Sequence, residues 1–232
     1  MIVSIHQPMY LPWIGFFHKL KGSDQFVILD SVKYSRNNFF NRNRVKTPRG
    51  SAWLTVPIRR TDLNIAMEKV RIDNSSGWRE KHMNIMTANY QNAPFYDYCS
   101  KMLFEPLNQE WESLVDLNIA FLKDISQLLR INRVTYRSSQ LDVKGTRTAL
   151  IVDICKTLGA DTYLSGLGAR EYLEEDKLAK AGISLVYQTF HHPVYPQLHG
   201  PFLKNLSIVD LIFNCGPGSP TLIGGNESCS SR

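Results

Sequence analysis

The sequence predicts an α/β fold, a mostly parallel sheet with a Rossmann-like βαβ start and a helical middle segment. Three observations carry that reading. Two short apolar runs of strand length, MIVSIH at 1–6 and FVILD at 26–30, bracket a segment from Ile14 to Lys21 with helical apolar spacing that stops at Gly22. The alternation of strand and helix patterns returns after Val134. Polar residues gather where those strands end, at His6-Gln7, Asp30, Ser165-Gly166 and Tyr187-Gln188, and a parallel sheet brings such ends to one edge.

The elements follow in order. Between the first strand and the first helix lies HQPMYLPW, in which Pro8 and Pro12 fix backbone angles and remove entropy from the unfolded chain, so the loop holds its side chains firmly. After Asp30 comes a basic loop, followed by SAWLTVPI at 51–58 as a strand and Ala66 to Ile72 as a further one. Trp78, His82, Ile85, Met86 and Tyr90 are spaced for a helix, and Leu114 to Leu129 for a long one; the prolines after Ala93 and Glu105 break the helical run between them. Then Val134 to Ser138 reads as a strand, Thr146 to Leu158 as a helix, Asp161 to Ser165 as a strand, Glu171 to Ala181 as a helix and Ser184 to Gln188 as a strand. The chain thus divides into a single α/β domain over 1–216, with a helical insertion at about 76–130, and a flexible Gly/Ser/Pro-rich tail at 217–232.

Composition narrows the class. With 43% hydrophobic residues in 232, the chain can bury a substantial core. Cys99, Cys155, Cys215 and Cys229 show neither CxxC spacing nor a disulfide framework, the N-terminus lacks a secretory pattern, and no run reaches the roughly 20 apolar residues of a membrane helix, so a cytoplasmic protein is expected. The net charge of +6 is concentrated. Lys33, Arg36, Arg42, Arg44, Lys46, Arg49, Arg59 and Arg60 lie between Ser31 and Thr61 with no acidic residue among them, interleaved with Asn37, Asn38, Phe39, Phe40, Asn41 and Asn43. Such a run suits phosphate contact. LSGLGA at 164–169 offers glycines through which a backbone can approach a phosphate. There is no DxD, HExxH, Walker or GxSxG sequence, so no metal, cofactor or serine nucleophile is called for.

Taken together, HQPMYLPWIGFF, FFNRN with Lys46, WLTVPI, LSGLGAREYL, YPQ and NLSIVDLIFNCG resemble the WbqC-like family, in order, over residues 1 to about 216. The resemblance implies a small biosynthetic enzyme, since such proteins occur among genes for bacterial surface polysaccharides and natural products, beside enzymes that make nucleotide-linked amino sugars. Its recurring positions fall here on His6, Gln7, Tyr10, Pro12, Trp13 and Gly15, on Asn41, Arg42, Asn43 and Lys46, and on Trp78, Lys81 and His82. Further positions are Ser165, Gly166 and Gly168, then Gln188, Tyr195 and Gln197, then Asn205, Ser207, Asp210 and Asn214.

The leading expectation is a transferase that acylates the amino group of a nucleotide-linked amino sugar, with an aminoacyl group such as glycyl carried on a thioester, for instance of a carrier protein, or on another activated donor. His6 is the expected general base, Gln7 the oxyanion donor, and Arg42, Lys46, Asn41 and Asn43 the diphosphate and sugar contacts, behind an apolar wall of Tyr10 and Trp13. Two alternatives stay open. One is a nucleotidyltransferase or ATP-dependent ligase of the HxGH-related type, although HxGH itself is missing. The other is a nucleic-acid-binding module built on the basic aromatic loop, although no RRM, KH or helix-turn-helix signature accompanies it.

Overall fold

The computed structural model describes residues 1–36, 38–62 and 64–224. The chain begins β1 (Ile2–His6), α1 (Ile14–Lys21), β2 (Gln25–Ile28), then an antiparallel hairpin of β3 (Arg42–Thr47) and β4 (Gly50–Thr55). Three helices follow, α2 (Trp78–Tyr90), α3 (Tyr96–Phe104) and α4 (Leu114–Leu128). Alternation then resumes with β5 (Val134–Arg137), α5 (Arg147–Thr157), β6 (Thr162–Ser165), α6 (Glu175–Lys180) and β7 (Ser184–Tyr187), before α7 (Ile208–Cys215) and α8 (Ser219–Leu222).

Five strands form one parallel sheet in the order β5-β2-β1-β6-β7, with His6 opposite Ile28 on one side and Ser4 opposite Leu164 on the other. The chain leaves β1 toward β2 and leaves β6 toward β7, in opposite directions. The gap beyond the C-terminal ends of β1 and β6 is therefore a topological switch point, where open α/β sheets bind ligands. Phe16, Phe17 and Leu20 of α1 pack with Phe26 and Ile28 on one face, in a core shared with α2, α3, α4, α7 and the hairpin. Leu150, Ile151, Ile154 and Leu178 cover Val3, Ile5 and Val27 on the other.

The segment expected as a basic loop is largely a strand. Asn41, Asn43 and Val45 turn inward while Arg42 and Arg44 stay partly exposed, and the inward asparagines satisfy backbone that a core strand of valines would leave to others: Asn43 Nδ2 donates to the Leu11 carbonyl at 2.7 Å and Asn41 Nδ2 to that of Val56 at 2.7 Å. Residues 66–72 are not the expected strand. Met67 and Val70, three apart, are both fully buried, which is turn spacing, and a short 3-10 turn spans Met67–Lys69. The helix expected from Glu171 starts at Glu175, because the Thr148 hydroxyl captures the Glu174 N–H at 3.1 Å and holds the preceding turn against α5. The tail expected from 217 is packed as far as it is described, with Leu222 and Ile223 in the core; 225–232, with Cys229, lie outside the described residues.

The hairpin, the 195–203 loop and α7 meet at one carboxylate. Asp210 is fully buried and accepts from Tyr90 Oη at 2.8 Å, Tyr195 Oη at 2.9 Å and Gln197 Nε2 at 2.7 Å. Tyr90 Oη also accepts the Lys46 N–H at 2.7 Å, and Lys46 Nζ donates to Gln197 Oε1 at 3.0 Å and to the Pro201 carbonyl at 2.7 Å. Burial pushes the Asp210 carboxyl above the usual carboxylate range, against the pull of its three donors, so each of those donors matters. Tyr90→Phe removes one donor from Asp210 and the acceptor of the Lys46 amide, and is expected to cost about 1–3 kcal/mol. The urea midpoint should fall with the denaturant slope unchanged; an unaltered midpoint contradicts this account.

Candidate active site

At the switch point lies a cleft of about 520 Å³. β1 delivers His6 and Gln7, β6 delivers Ser165, and the turn after it delivers Gly166 and Gly168. α1 contributes Lys19 from one side and the start of α5 contributes Arg147 from the other, with Tyr163 and Tyr172 completing the wall. Of the residues singled out in the sequence, His6, Gln7, Ser165, Gly166 and Gly168 thus share one cavity although well over a hundred positions separate them.

Two features of the cleft bear on anionic ligands. No side chain caps the N-terminus of α5, whose first N–H groups have no intrahelical acceptor. Arg147, the first residue of that helix, has φ of +53°, a left-handed conformation that a residue with a Cβ adopts at a cost and that clusters at functional sites.

The sequence reading missed Lys19. Its side chain is buried, 3% exposed, and Nζ donates to the Ile5 carbonyl at 2.9 Å. Burial pulls its pKa from 10.5 down to about 7, so near neutrality the amine is available in both protonation states. His6 behaves differently. Burial, then the Lys19 charge, bring its pKa down to about 3, against a hydrogen bond from Nδ1–H to the Gln7 carbonyl at 2.9 Å. With Nδ1 carrying the proton, Nε2 is a lone-pair acceptor at any pH near neutral. Phe16 packs edge-on against the ring at 4.9 Å between centroids and holds it in place. Its lowered pKa suits His6 to hydrogen-bond acceptance, and Lys19, near the optimum for proton exchange, stands beside it as a second candidate for general base.

Many of the other expected site residues make structural contacts outside the cleft. Asp30 is fully buried in an ion pair with Arg137, Nε to Oδ2 at 2.7 Å, and accepts from Ser138 and Ser139, which staples β2 to the end of β5 away from the cleft. Tyr10 is in the core and pairs with His82 Nδ1 at 2.9 Å; the His82 ring also donates to the Thr55 carbonyl, and burial lowers its pKa to about 4. Trp13 lies over Gly15, where a Cβ would come within 2.3 Å of the indole, and meets Phe190 edge-on. Gln188 Nε2 donates to the Gly15 carbonyl at 2.8 Å and to His18 Nδ1 at 2.9 Å, so it secures α1 rather than lining the cleft. Asn41, Asn43, Lys46, Tyr195, Gln197 and Asp210 form the buried scaffold described above, and Lys46 is committed to it rather than free for a diphosphate. Asn214 Nδ2 caps the Asp210 carbonyl at 2.7 Å and Ser207 Oγ donates to the Leu11 carbonyl at 2.9 Å. Lys81 and Asn205 are exposed, Asn205 with φ of +59° at a bend. Arg42 stacks over Trp53 at 4.4 Å on the outer face of the hairpin.

A larger groove of about 690 Å³ runs between the end of α4 and β5, lined by aliphatic residues, Lys123, Arg130 and Arg133, and the neutral polar Ser126, Gln127, Asn132 and Thr135; it holds no carboxylate or imidazole to pair with its cations, so the chemistry points to the smaller cleft. Among the described residues no helix is long and apolar enough to cross a membrane.

The model of the WbqC-like protein family matches residues 7–221. The chain is also 29% identical over 221 residues to Uncharacterized protein Rv1507c of Mycobacterium tuberculosis (strain ATCC 25618 / H37Rv), a match that covers 94% of this chain and 95% of that protein. No solved structure matches.

The Lys19 environment has a thermodynamic signature. Between about pH 7 and 10.5 the unfolded chain holds a proton on Lys19 that the folded protein has lost, so stability rises with pH through that window; below it both states are protonated and the cost of burying the cation is fully present. Unfolding free energies from urea titrations between about pH 6 and 9 should climb in the wild type, by at most about 1.4 kcal/mol per pH unit from this group. They should climb less in Lys19→Met. Equal slopes would show that Lys19 titrates normally.

Proposed function

The chain belongs to the WbqC-like protein family, and from that membership and the chemistry of the cleft we propose that it is a transferase of surface-polysaccharide or natural-product biosynthesis that N-acylates a nucleotide-linked amino sugar. The observation that carries this reading is the convergence, in one switch-point cleft, of the buried Lys19 amine and the His6 imidazole with Arg147, the open N-terminus of α5 and the Gly166–Gly168 turn.

An amino sugar is an ammonium ion near neutrality and cannot attack until it loses a proton. Neutral Lys19 takes that proton, while His6 Nε2 accepts a hydrogen bond from the sugar nitrogen and aims its lone pair. The freed amine adds to the carbonyl carbon of an activated acyl donor, a thioester being the simplest class. The oxyanion that forms is held by the Gln7 amide or a turn N–H. Collapse breaks the bond to the leaving thiolate, the Lys19 ammonium returns a proton to it, and the surplus proton left on the acylated nitrogen passes to water, so the protein ends as it began and one proton is released. Arg147, the open N-terminus of α5 and the Gly166–Gly168 turn suit the diphosphate of the sugar nucleotide.

A second reading, nucleotidyl transfer or ATP-dependent ligation, is favoured by one specific observation, the doubly wound strand order around the cleft. One assay separates the two. Incubation with a panel of amino-sugar nucleotides, ATP, amino acids and thioester donors should give a product heavier by the acyl group, without pyrophosphate; pyrophosphate release in the absence of any thioester favours ligation.

For the transferase, Lys19→Met should lower kcat by on the order of a hundredfold or more at nearly constant KM, with the acid limb of the activity profile, where activity falls as Lys19 gains its proton, set near pH 7 in the wild type. Arg147→Gln should instead raise KM for the sugar nucleotide roughly tenfold or more, the loss expected for one charge-assisted bond to phosphate. Wild-type kinetics in both variants would remove the cleft from the reaction.

A further inference from the structure

The sequence reading placed a phosphate contact in the basic segment, and the fold takes Lys46 out of it but assembles something else from the arginines that remain. Arg36 and Arg42 come together with Arg59 and Arg60, from the chain beyond β4, around a pocket of about 190 Å³. This is the space of roughly six liquid waters, enough to seat a phosphoryl group. Its lining residues are distinct from those of the switch-point cleft.

The wall is built rather than loose. Tyr34 and Asn41 are buried there, with Tyr34 Oη donating to Asn41 Oδ1 at 3.0 Å and Asn41 Nδ2 to the Val56 carbonyl at 2.7 Å. The charges of Arg42 and Arg36 are felt at the Tyr34 phenol, where they oppose the upward push of burial, so both guanidiniums lie close to that wall. Trp53 stacks under Arg42 at 4.4 Å and under Arg44 at 5.6 Å, which fixes the direction of the forks. No described residue lining the pocket is acidic. Of the carboxylates near it in sequence, Asp62 accepts from Thr61 Oγ1 and the Arg71 N–H, and Asp73 accepts from the Ser75 N–H while feeling the Arg59 charge from outside the pocket lining. Four guanidiniums around one cavity raise the positive potential there, and planar forks match phosphate oxygens in pairs.

We propose that this arginine pocket is a second anion site, separate from the cleft, whose ligand is a phosphate ester or diphosphate of a small molecule. Exposed Phe39 and Trp53, their rings 5.9 Å apart, flank the approach and suit a ligand that carries a planar ring beside its phosphates. The site stands on its own observations and holds whether or not the cleft performs acyl transfer.

The test uses the whole chain and inorganic pyrophosphate as probe, followed by tryptophan fluorescence; the part of the response that Trp53→Phe abolishes reports this pocket rather than the cleft. Saturable binding is expected, weakening as salt is raised. The double variant Arg59→Gln with Arg60→Gln changes two exposed side chains and should keep the wild-type melting curve while weakening binding at least roughly tenfold. Adenosine diphosphate should bind more tightly than pyrophosphate if the aromatic pair takes part, and Phe39→Ala should erase the difference. Wild-type affinity in the double variant, or no Trp53-dependent binding, overturns the proposal. So does a single-stranded oligonucleotide that binds this face and is not displaced by pyrophosphate, since that ligand would be read by an open surface rather than by the pocket.

Discussion

The architecture depends on satisfying one buried carboxylate. Asp210 sits at zero exposure, where an unpaired charge is untenable, and it collects Tyr90 from α2 and Tyr195 and Gln197 from the loop before α7. Those partners are themselves tied to Lys46 of β3, by the amide to Tyr90 and by the amine to Gln197. Four segments remote in sequence therefore hold one another in a single arrangement. The constraint reaches the first loop, because β3 and α7 both grip it: Asn43 and Ser207 donate to the carbonyl of Leu11, a residue with φ of +43°. His6 and Gln7 open that loop. The position of the cleft chemistry is thus fixed from behind by a network that contributes nothing to its walls.

That division explains how the sequence could be read well for fold and less well for site. The parallel strands are short apolar runs and the helices have clear spacing, so β1, α1, β2, α4 and the later alternation were legible from periodicity alone. Of the hairpin, β4 matches the strand expected at 51–58, but β3 was not legible. In and just before β3, Asn41 and Asn43 turn inward and Lys46 is buried from the other face, where a strand ordinarily carries branched apolar residues, so the polar sequence resembled a ligand loop. A buried structural network and an active site place the same demand on a sequence, since both need particular polar side chains in fixed positions. Asp210, Tyr195 and Gln197 meet it for folding, His6 and Gln7 for the cleft, and no spacing rule tells the two apart.

Lys19 shows the converse. In the stretch HKLKG it looks like one more solvated lysine near a helix end, favourable to the dipole and otherwise unremarked. Only the crossing of α1 over the end of β1, which brings Nζ to the Ile5 carbonyl, converts it from a surface charge into a buried amine facing the cleft. Burial does the chemical tuning, because removing water raises the cost of the ammonium more than that of the amine. The same burial, with the Lys19 charge added, drives His6 in the same direction, and since the two groups start from different ordinary values they end on opposite sides of neutrality in usefulness. One can exchange a proton near pH 7. The other, kept neutral, is suited to accepting a hydrogen bond. A site needing both a proton carrier and a fixed acceptor obtains them here from a single physical cause acting on two side chains, and that cause is the packing of α1 on the sheet, which the Asp210 scaffold holds through the loop between them.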